Sequence, residues 1–155
     1  MSSQPIKIDG IGTRKDGSGG FSTNFANYKR FVNLFASATI SKGDAVCIDF
    51  TTSTNGLGNH VKPANASAAA TTCAIGVADD DAVSGDLVKI QVSGLVTLAD
   101  IDDVGDDPGH ALGAGTNPGR FTQAVAGQTV CAIFVTEGTP GSGDSTVYLL
   151  NPANL

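Results

Sequence analysis

The chain has 155 residues, a formal net charge of −6, 41 % apolar and only 15 % charged residues. That balance excludes a disordered chain, and no run of about eighteen apolar residues is present to cross a membrane as a helix. Twenty glycines, no tryptophan and a single glutamate make a poor helix former, so one all-β domain with a real core is expected, hardly two.

The charge is unevenly spread. Residues 1–42 hold Lys7, Arg14, Lys15, Lys29, Arg30 and Lys42 against Asp9 and Asp16, a net of +4. The other 113 residues hold three basic and thirteen acidic groups, a net of −10. A basic segment joined to an acidic body suits a solvated arm, an acidic neighbour or the body of a sister subunit. It does not suit nucleic acid, because the body repels phosphate and few aromatics interleave the basic residues. MSSQPIKIDG has neither a charged n-region nor an apolar h-region, so no signal peptide is expected.

In chain order, Ile6-Lys7-Ile8 alternates and is followed by the glycine-rich IGTRKDGSGG, which reads as an extended arm with too few apolar residues to fold alone. Phe21, Phe25, Tyr28, Phe31 and Phe35 follow at spacings of 4, 3, 3 and 4. That is helical spacing and predicts the one short amphipathic helix of the chain, with a strand over Phe31–Phe35 as the competing local reading. The stripe serves either as core or as a partner-binding face. An arm over 1–35 and a β-domain over 36–155 are therefore expected. Arg14, Lys15, Phe21, Phe25, Tyr28, Lys29, Arg30, Phe31 and Phe35 are the candidate contacts of this segment with a neighbour or a sister subunit.

Gly43-Asp44 reads as a turn into a strand with Val46, Ile48 and Phe50 alternating. Asn55-Gly56 marks a loop, Val61-Lys62-Pro63 a short edge strand, and residues 65–72 a small-residue connection. The stretch from Cys73 to Leu98 organises the rest. Ile75-Gly76-Val77 is a short strand, Ser84-Gly85-Asp86 a turn, and Leu87 to Val92 alternates with Val88, Ile90 and Val92 on one face and Leu87, Lys89 and Gln91 on the other. Gly94 within this apolar run predicts a bulge or bend of the kind that curls a sheet into a barrel. Asp100 to Asn117 reads as one long loop, and further strands are expected from Gly119, over Cys131–Val135 and over Thr146–Leu150. A Gly-polar-x-Val element recurs at Gly43, Gly85 and Gly127 with equal spacings of 42, but the residues between do not align, so no repeat is assigned.

Site chemistry is sparse. Cys47, Cys73 and Cys131 sit in apolar strand context without a CxxC pair, as buried reduced thiols do. His60 and His110 have no serine or carboxylate in triad order, so no catalytic residue, enzyme activity or cofactor is assigned. Gly113-Ala114-Gly115 opens like a dinucleotide fingerprint, yet Pro118 takes the third glycine's place. Asp100, Asp102, Asp103, Asp106 and Asp107 crowd one loop, and Asp79-Asp80-Asp81 another. A calcium loop starting at Asp100 fails at Val104 and Ala111, so no metal is assigned, with Asp100, Asp102 and Asp106 the candidates for a structural ion. The Asn65-Ala66-Ser67 sequon is expected to be idle.

ATISKGDAVCIDF, CAIGVADDDAVSGDLVKIQVSGLVTL and GQTVCAIFV together resemble the head decoration (cement) proteins of tailed bacteriophages over roughly residues 36–136. The resemblance implies a small β-barrel or β-tulip that assembles as a homotrimer on the outer capsid surface. Its partners would be the major capsid protein and its own copies, and it would be made in the host cytoplasm. The N-terminal segment departs from the compact family pattern and suits an arm that reaches the shell or a neighbour. Two other classes stay open: a phage fibre or carbohydrate-binding β-module, which would favour exposed Trp and Tyr where Trp is absent and only Tyr28 and Tyr148 stand, and a hydrolase built on the aspartate loop.

Overall fold

The computed structural model describes residues 29–67, 73–102, 108–126, 128–136 and 138–150. They form an all-β architecture of nine strands: β1 (Arg30–Ala36), β2 (Ala45–Ile48), β3 (His60–Pro63), β4 (Gly76–Ala78), β5 (Leu87–Ala99), β6 (Ala111–Ala114), β7 (Phe121–Gln123), β8 (Ala132–Thr136) and β9 (Ser145–Leu149). The strand order is β1-β3-β2-β4-β5-β9-β8-β6-β7, and β1 also pairs with β5. Five strands thus return on themselves in a ring, and β9, β8, β6 and β7 continue from β5 as a second sheet that does not close.

β5 belongs to both parts, and Gly94 is where it changes allegiance. Its first half pairs with β1 and β4, whereas residues from Gly94 onward pair with β9. Gly94 has φ +88°, a conformation open to glycine and costly with a Cβ. The strand before it carries a register shift opposite Arg30 and Phe31, and Gln91 Nε2 donates to the carbonyls of Ser93 and Leu95, both at 3.0 Å. Gln91 therefore braces the bend and is buried, although it lies on the face of Leu87 and Lys89, opposite Val88 and Ile90. Val88 and Ile90 fill the ring together with Ile40, Val46 and Val61. Beyond the bend, Val96 and Ala99 join Leu112, Phe121, Phe134 and Val147 in the core of the second sheet.

The spacing of 42 is structural. In the antiparallel pairing of β1 with β5, Leu34 faces Val88 and Phe35 faces Leu87; in that of β2 with β4, Gly76 faces Val46 and Val77 faces Ala45. Adding 42 to each β1 residue and subtracting 42 from its β5 partner converts the first set into the second. The bridge Ile40↔Ala82 lies on the axis of this internal two-fold. Ala36 accepts from Gly85 N (2.8 Å) and donates to Asp86 O (2.7 Å), just as Ala78 accepts from Gly43 N and donates to Asp44 O (both 2.9 Å). Gly43 and Gly85 both have φ +98° at the third position of the turns Ser41–Asp44 and Val83–Asp86, as a type II turn requires. The recurring element is thus a true structural repeat over its first two occurrences; Gly127 lies outside the described residues. The symmetry breaks at β3, which inserts between β1 and β2, while β4 pairs with β5 directly.

Several expectations are corrected. Residues from Arg30 to Phe35 are a strand and not a helix turn, because pairing with β5 along their length satisfies the backbone; Phe21, Phe25 and Tyr28 lie outside the described residues. β1 also straddles the expected boundary between 35 and 36, so Arg30–Phe35 belong to the sheet. β3 is not an edge strand: β2 pairs on one side and β1 on the other, and Pro63 is tolerated because β1 reaches only His60 and Val61. β6 lies inside the stretch read as one long loop. Its sequence ALGA has little strand propensity, and what holds it is tertiary: a Cβ on Gly113 would meet the Gln128 side chain at 2.9 Å, and Gln128 Nε2 donates to Ala114 O at 2.7 Å. Phe50 lies past the end of β2 and is exposed.

Candidate interaction surface

The internal two-fold gives two copies of one turn in different surroundings. The first, Ser41–Asp44, lies beneath the second sheet. Asp100 N donates to Gly43 O (2.9 Å), Ala45 N donates to Gly119 O (2.7 Å), and the Asp44 carboxylate rests against Gly119, where a Cβ would meet Oδ1 at 2.5 Å. Burial, with the nearby Asp100 carboxylate adding to it, pushes the Asp44 carboxyl up to about 6 against the hydrogen bond it accepts from Ser41 N (2.8 Å).

The second copy, Val83–Asp86, is bare. A Cβ on Gly85 would meet nothing within 4 Å. Leu87 is 61 % exposed where its equivalent Ala45 is 0 %, and Val83, the equivalent of Ser41, is 58 % exposed. The patch continues onto β1. Leu87 faces Phe35 across the pair, and Phe31, on the same face of β1, is 40 % exposed with Lys89 Nζ 4.3 Å from its ring centre. Lys89 is tied in turn to Asp79 at 2.8 Å. Phe35 N donates to Asn59 O on the β3 side (2.9 Å), so by alternation the amides of Phe31 and Asn33 face that same side, which β3 does not reach. Beside the turn lies a shallow depression of about 410 Å³ on the two-fold axis, where Thr39, Ile40 and Ser41 oppose their equivalents Asp81, Ala82 and Val83. The result is an apolar ridge with a strand edge that pairs with no other strand among the described residues and an acidic hollow beside it.

Of the residues singled out in the sequence, Phe31 and Phe35 fall within this ridge, and Lys29 and Arg30 are exposed at its entrance. Arg14, Lys15, Phe21, Phe25 and Tyr28 lie outside the described residues. Leu87 and Val83 were not singled out, since exposure at an apolar position leaves no mark in a sequence; only the equal spacing of Gly43 and Gly85 pointed to the comparison that exposes them.

Of the aspartates expected to crowd one loop, Asp100 and Asp102 fall among the described residues. Asp102 accepts from Asn117 Nδ2 (2.8 Å) and pairs with Arg120 (3.4 Å). Burial raises the pKa of Asp100, opposed by the Gly143 amide and by Arg120, and Asp106 lies outside the described residues. Among the described residues no group of three or more histidines, cysteines or acids is placed to hold a metal ion. A carboxylate the sequence did not flag, Asp49, is the best anchored. Burial alone would raise its pKa, but bonds from Thr51 N (3.0 Å), Thr51 Oγ1 (2.6 Å), Thr52 Oγ1 (3.0 Å) and Lys62 Nζ (3.0 Å) hold it well below the usual carboxylate range. It fixes the start of the loop joining β2 to β3. His60, also buried, stacks at 5.7 Å against Phe35.

A scan against protein-family models and a search of curated proteins return no match for this chain.

Proposed function

We propose that this protein is a structural subunit of a phage head: a decoration protein that binds the outer capsid surface as a homotrimer and stabilises the shell. The observation that carries this reading is the bare second turn. One half of a two-fold ring is covered by the chain's own second sheet; the equivalent half presents Val83, Leu87 and Phe31 to solvent, with Phe35 half-buried between them. An apolar ridge of that kind on a chain whose site chemistry is sparse is what an assembly contact requires. The sequence resemblance supplies the shell, and the opposite charges of the N-terminal segment and the body supply an attraction between neighbouring copies. On a lattice, many such modest contacts add to a firm grip.

Light scattering on the full-length chain tests the self-association. A mass near three times 15.6 kDa is expected, falling to a single chain in Leu87→Glu with unchanged circular dichroism. A trimer indifferent to Leu87→Glu, or a single chain at every concentration, would overturn the assignment of this ridge as the subunit contact. A companion truncation has to stop at residue 28, because removing β1 would open the ring.

A further inference from the structure

The three cysteines, 26 and 58 residues apart in the chain, are brought to one place. Cys47 on β2 and Cys131 before β8 are buried in the same apolar cluster as Ala74, and Cys73, the residue before Ala74, is exposed, which corrects the expectation that all three are buried. The Cys131 thiol lies beside the Cys73 thiol and the Ala74 amide, and it donates to Thr129 O at 3.4 Å. Its backbone is held on both sides, by Cys131 N to Leu112 O (2.8 Å) and Leu150 N to Cys131 O (3.1 Å). Cys73 touches the acceptor Ala74 O only at 4.0 Å. One partner is thus fixed and buried, and the other is loosely held at the surface.

We propose that Cys73 and Cys131 are a redox site: an accessible thiol and a resolving thiol that close a disulfide between the ring and the second sheet when the protein meets a small-molecule disulfide such as oxidised glutathione. In the first step the Cys73 thiolate attacks glutathione disulfide, forming the Cys73–glutathione bond and releasing one glutathione thiolate. In the second, Cys131 loses its proton to solvent and its sulfur attacks the Cys73 sulfur, expelling the second glutathione. Two protein thiols give up two electrons and two protons, and one glutathione disulfide becomes two glutathiones. Cys47 is the bystander: it is buried, and its strand is paired on both sides, by β3 and by β4.

Burial, with the neighbouring Cys73 adding to it, pushes the Cys131 thiol up to about 11, and burial pushes Cys47 to about 11 as well. Neither therefore starts the reaction near neutrality, and entry falls to the exposed Cys73. The bond would tie the chain just before β4 to the chain just before β8, so that neither half can open without the other. Its biological timing rests on the proposed virion role, since a coat protein is made in a reducing cytoplasm and then released from it. The chemistry does not rest on that role.

The test uses the purified full chain in glutathione disulfide at pH 8, with no capsid present. Thiol titration after denaturation is expected to fall from three to one. Cleavage before aspartate is expected to link the Cys73 and Cys131 peptides, because Asp49 separates Cys47 from Cys73 and Asp79 separates Cys73 from Cys131. Closure of the Cys73 adduct should quicken about tenfold per pH unit below the Cys131 value. Cys47→Ala should behave as the parent does. Three surviving thiols, a lasting glutathione adduct on Cys73, a link to Cys47 or a link between two chains would each overturn the proposal. The mapping needs no variant, so a variant that fails to fold leaves it intact. A monomer that forms this disulfide would sink the trimer and leave the redox site standing.

Discussion

The internal two-fold makes a controlled comparison possible. Gly43 and Gly85 share φ +98° and equivalent turns, so Gly43→Ala and Gly85→Ala carry the same backbone penalty, about 1–2 kcal/mol for an L-residue held at positive φ. Alanine also restricts the unfolded chain, which returns about 0.4–1 kcal/mol in both cases. The net expectation for Gly85→Ala is a loss of about 1 kcal/mol, because its Cβ meets nothing within 4 Å. In Gly43→Ala the Cβ would lie 2.5 Å from Leu98 O and 3.3 Å from Gly143 Cα, both backbone atoms that no rotamer change can move. Relief requires shifting the turn against the end of β5, straining the bonds from Gly43 N to Ala78 O and from Asp100 N to Gly43 O, both 2.9 Å. Overpacking of this kind costs about 1–3 kcal/mol and a weakened hydrogen bond about 1 more, so Gly43→Ala should lose about 3–5 kcal/mol in total. Urea unfolding of both variants, with slopes compared to check that the unfolding reaction is unchanged, measures the difference. Equal losses would refute the two-fold reasoning: the second sheet would not then be pressing on one turn and sparing the other.

Two further outcomes concern charge. Asp44, its folded pKa raised to about 6 from the usual 3.8, binds its proton more tightly folded than unfolded, so it favours the fold most below about pH 4 and loses that contribution as pH rises through 6. Asp44→Asn keeps an acceptor for Ser41 N and should gain about 1–2 kcal/mol at pH 8, after discount for partial exposure, with a flatter stability profile between pH 5 and 8; an unchanged profile would show that Asp44 does not carry that slope. Asp49 works in the opposite sense: its pKa is depressed, so its contribution is present above about pH 4 and lost below it. Asp49→Ala should cost about 2–3 kcal/mol at pH 7 and progressively less in acid, and a cost independent of pH would mean that shape and not charge is what the site supplies.

The ring was legible wherever local chemistry decides. Val88 and Ile90 alternate because one face of β5 is buried, the glycine turns announced themselves, and Gly94 marked the bend. The second sheet was harder. β6 is made of Ala, Leu, Gly and Ala, and its strand state is imposed by β7 and β8 on either side, which no local pattern encodes. At β1 the strand reading over Phe31–Phe35 prevails over the helical one, because aromatic spacing fits a helix only until β5 is there to pair with it. Gln91 looked like a solvent residue and is a buried brace, because the bend at Gly94 brings Ser93 O and Leu95 O within reach of its side-chain amide. At the candidate surface, Phe31 and Phe35 could be picked out as aromatics, but Leu87 and Val83 gain their meaning only from what covers Ala45 and Ser41. The grouping of the cysteines is a tertiary fact with no trace in their spacing.

The two turns also constrain what a partner must look like. Ala45 is buried in the core of the second sheet, where its short side chain fits, and its amide donates to Gly119 O. At the equivalent place Leu87 projects three more carbons, so a partner that seals the second turn must offer a hollow. The acid differs as well. Asp44 is sunk beneath the sheet with a raised pKa, whereas Asp86 is exposed and in ion pairs with no basic residue among the described residues. A partner that places a lysine or arginine beside its hollow would gain at Asp86 what the second sheet cannot gain at Asp44. The basic segment that leads into β1 carries such groups in Arg14, Lys15 and Lys29, with Arg30 opening the strand, and a neighbouring copy brings them without any second protein. On the proposed assembly, then, Leu87→Ala should loosen the trimer and Asp86→Asn should make it less sensitive to salt. The two losses would be separable, because one removes a shape and the other a charge.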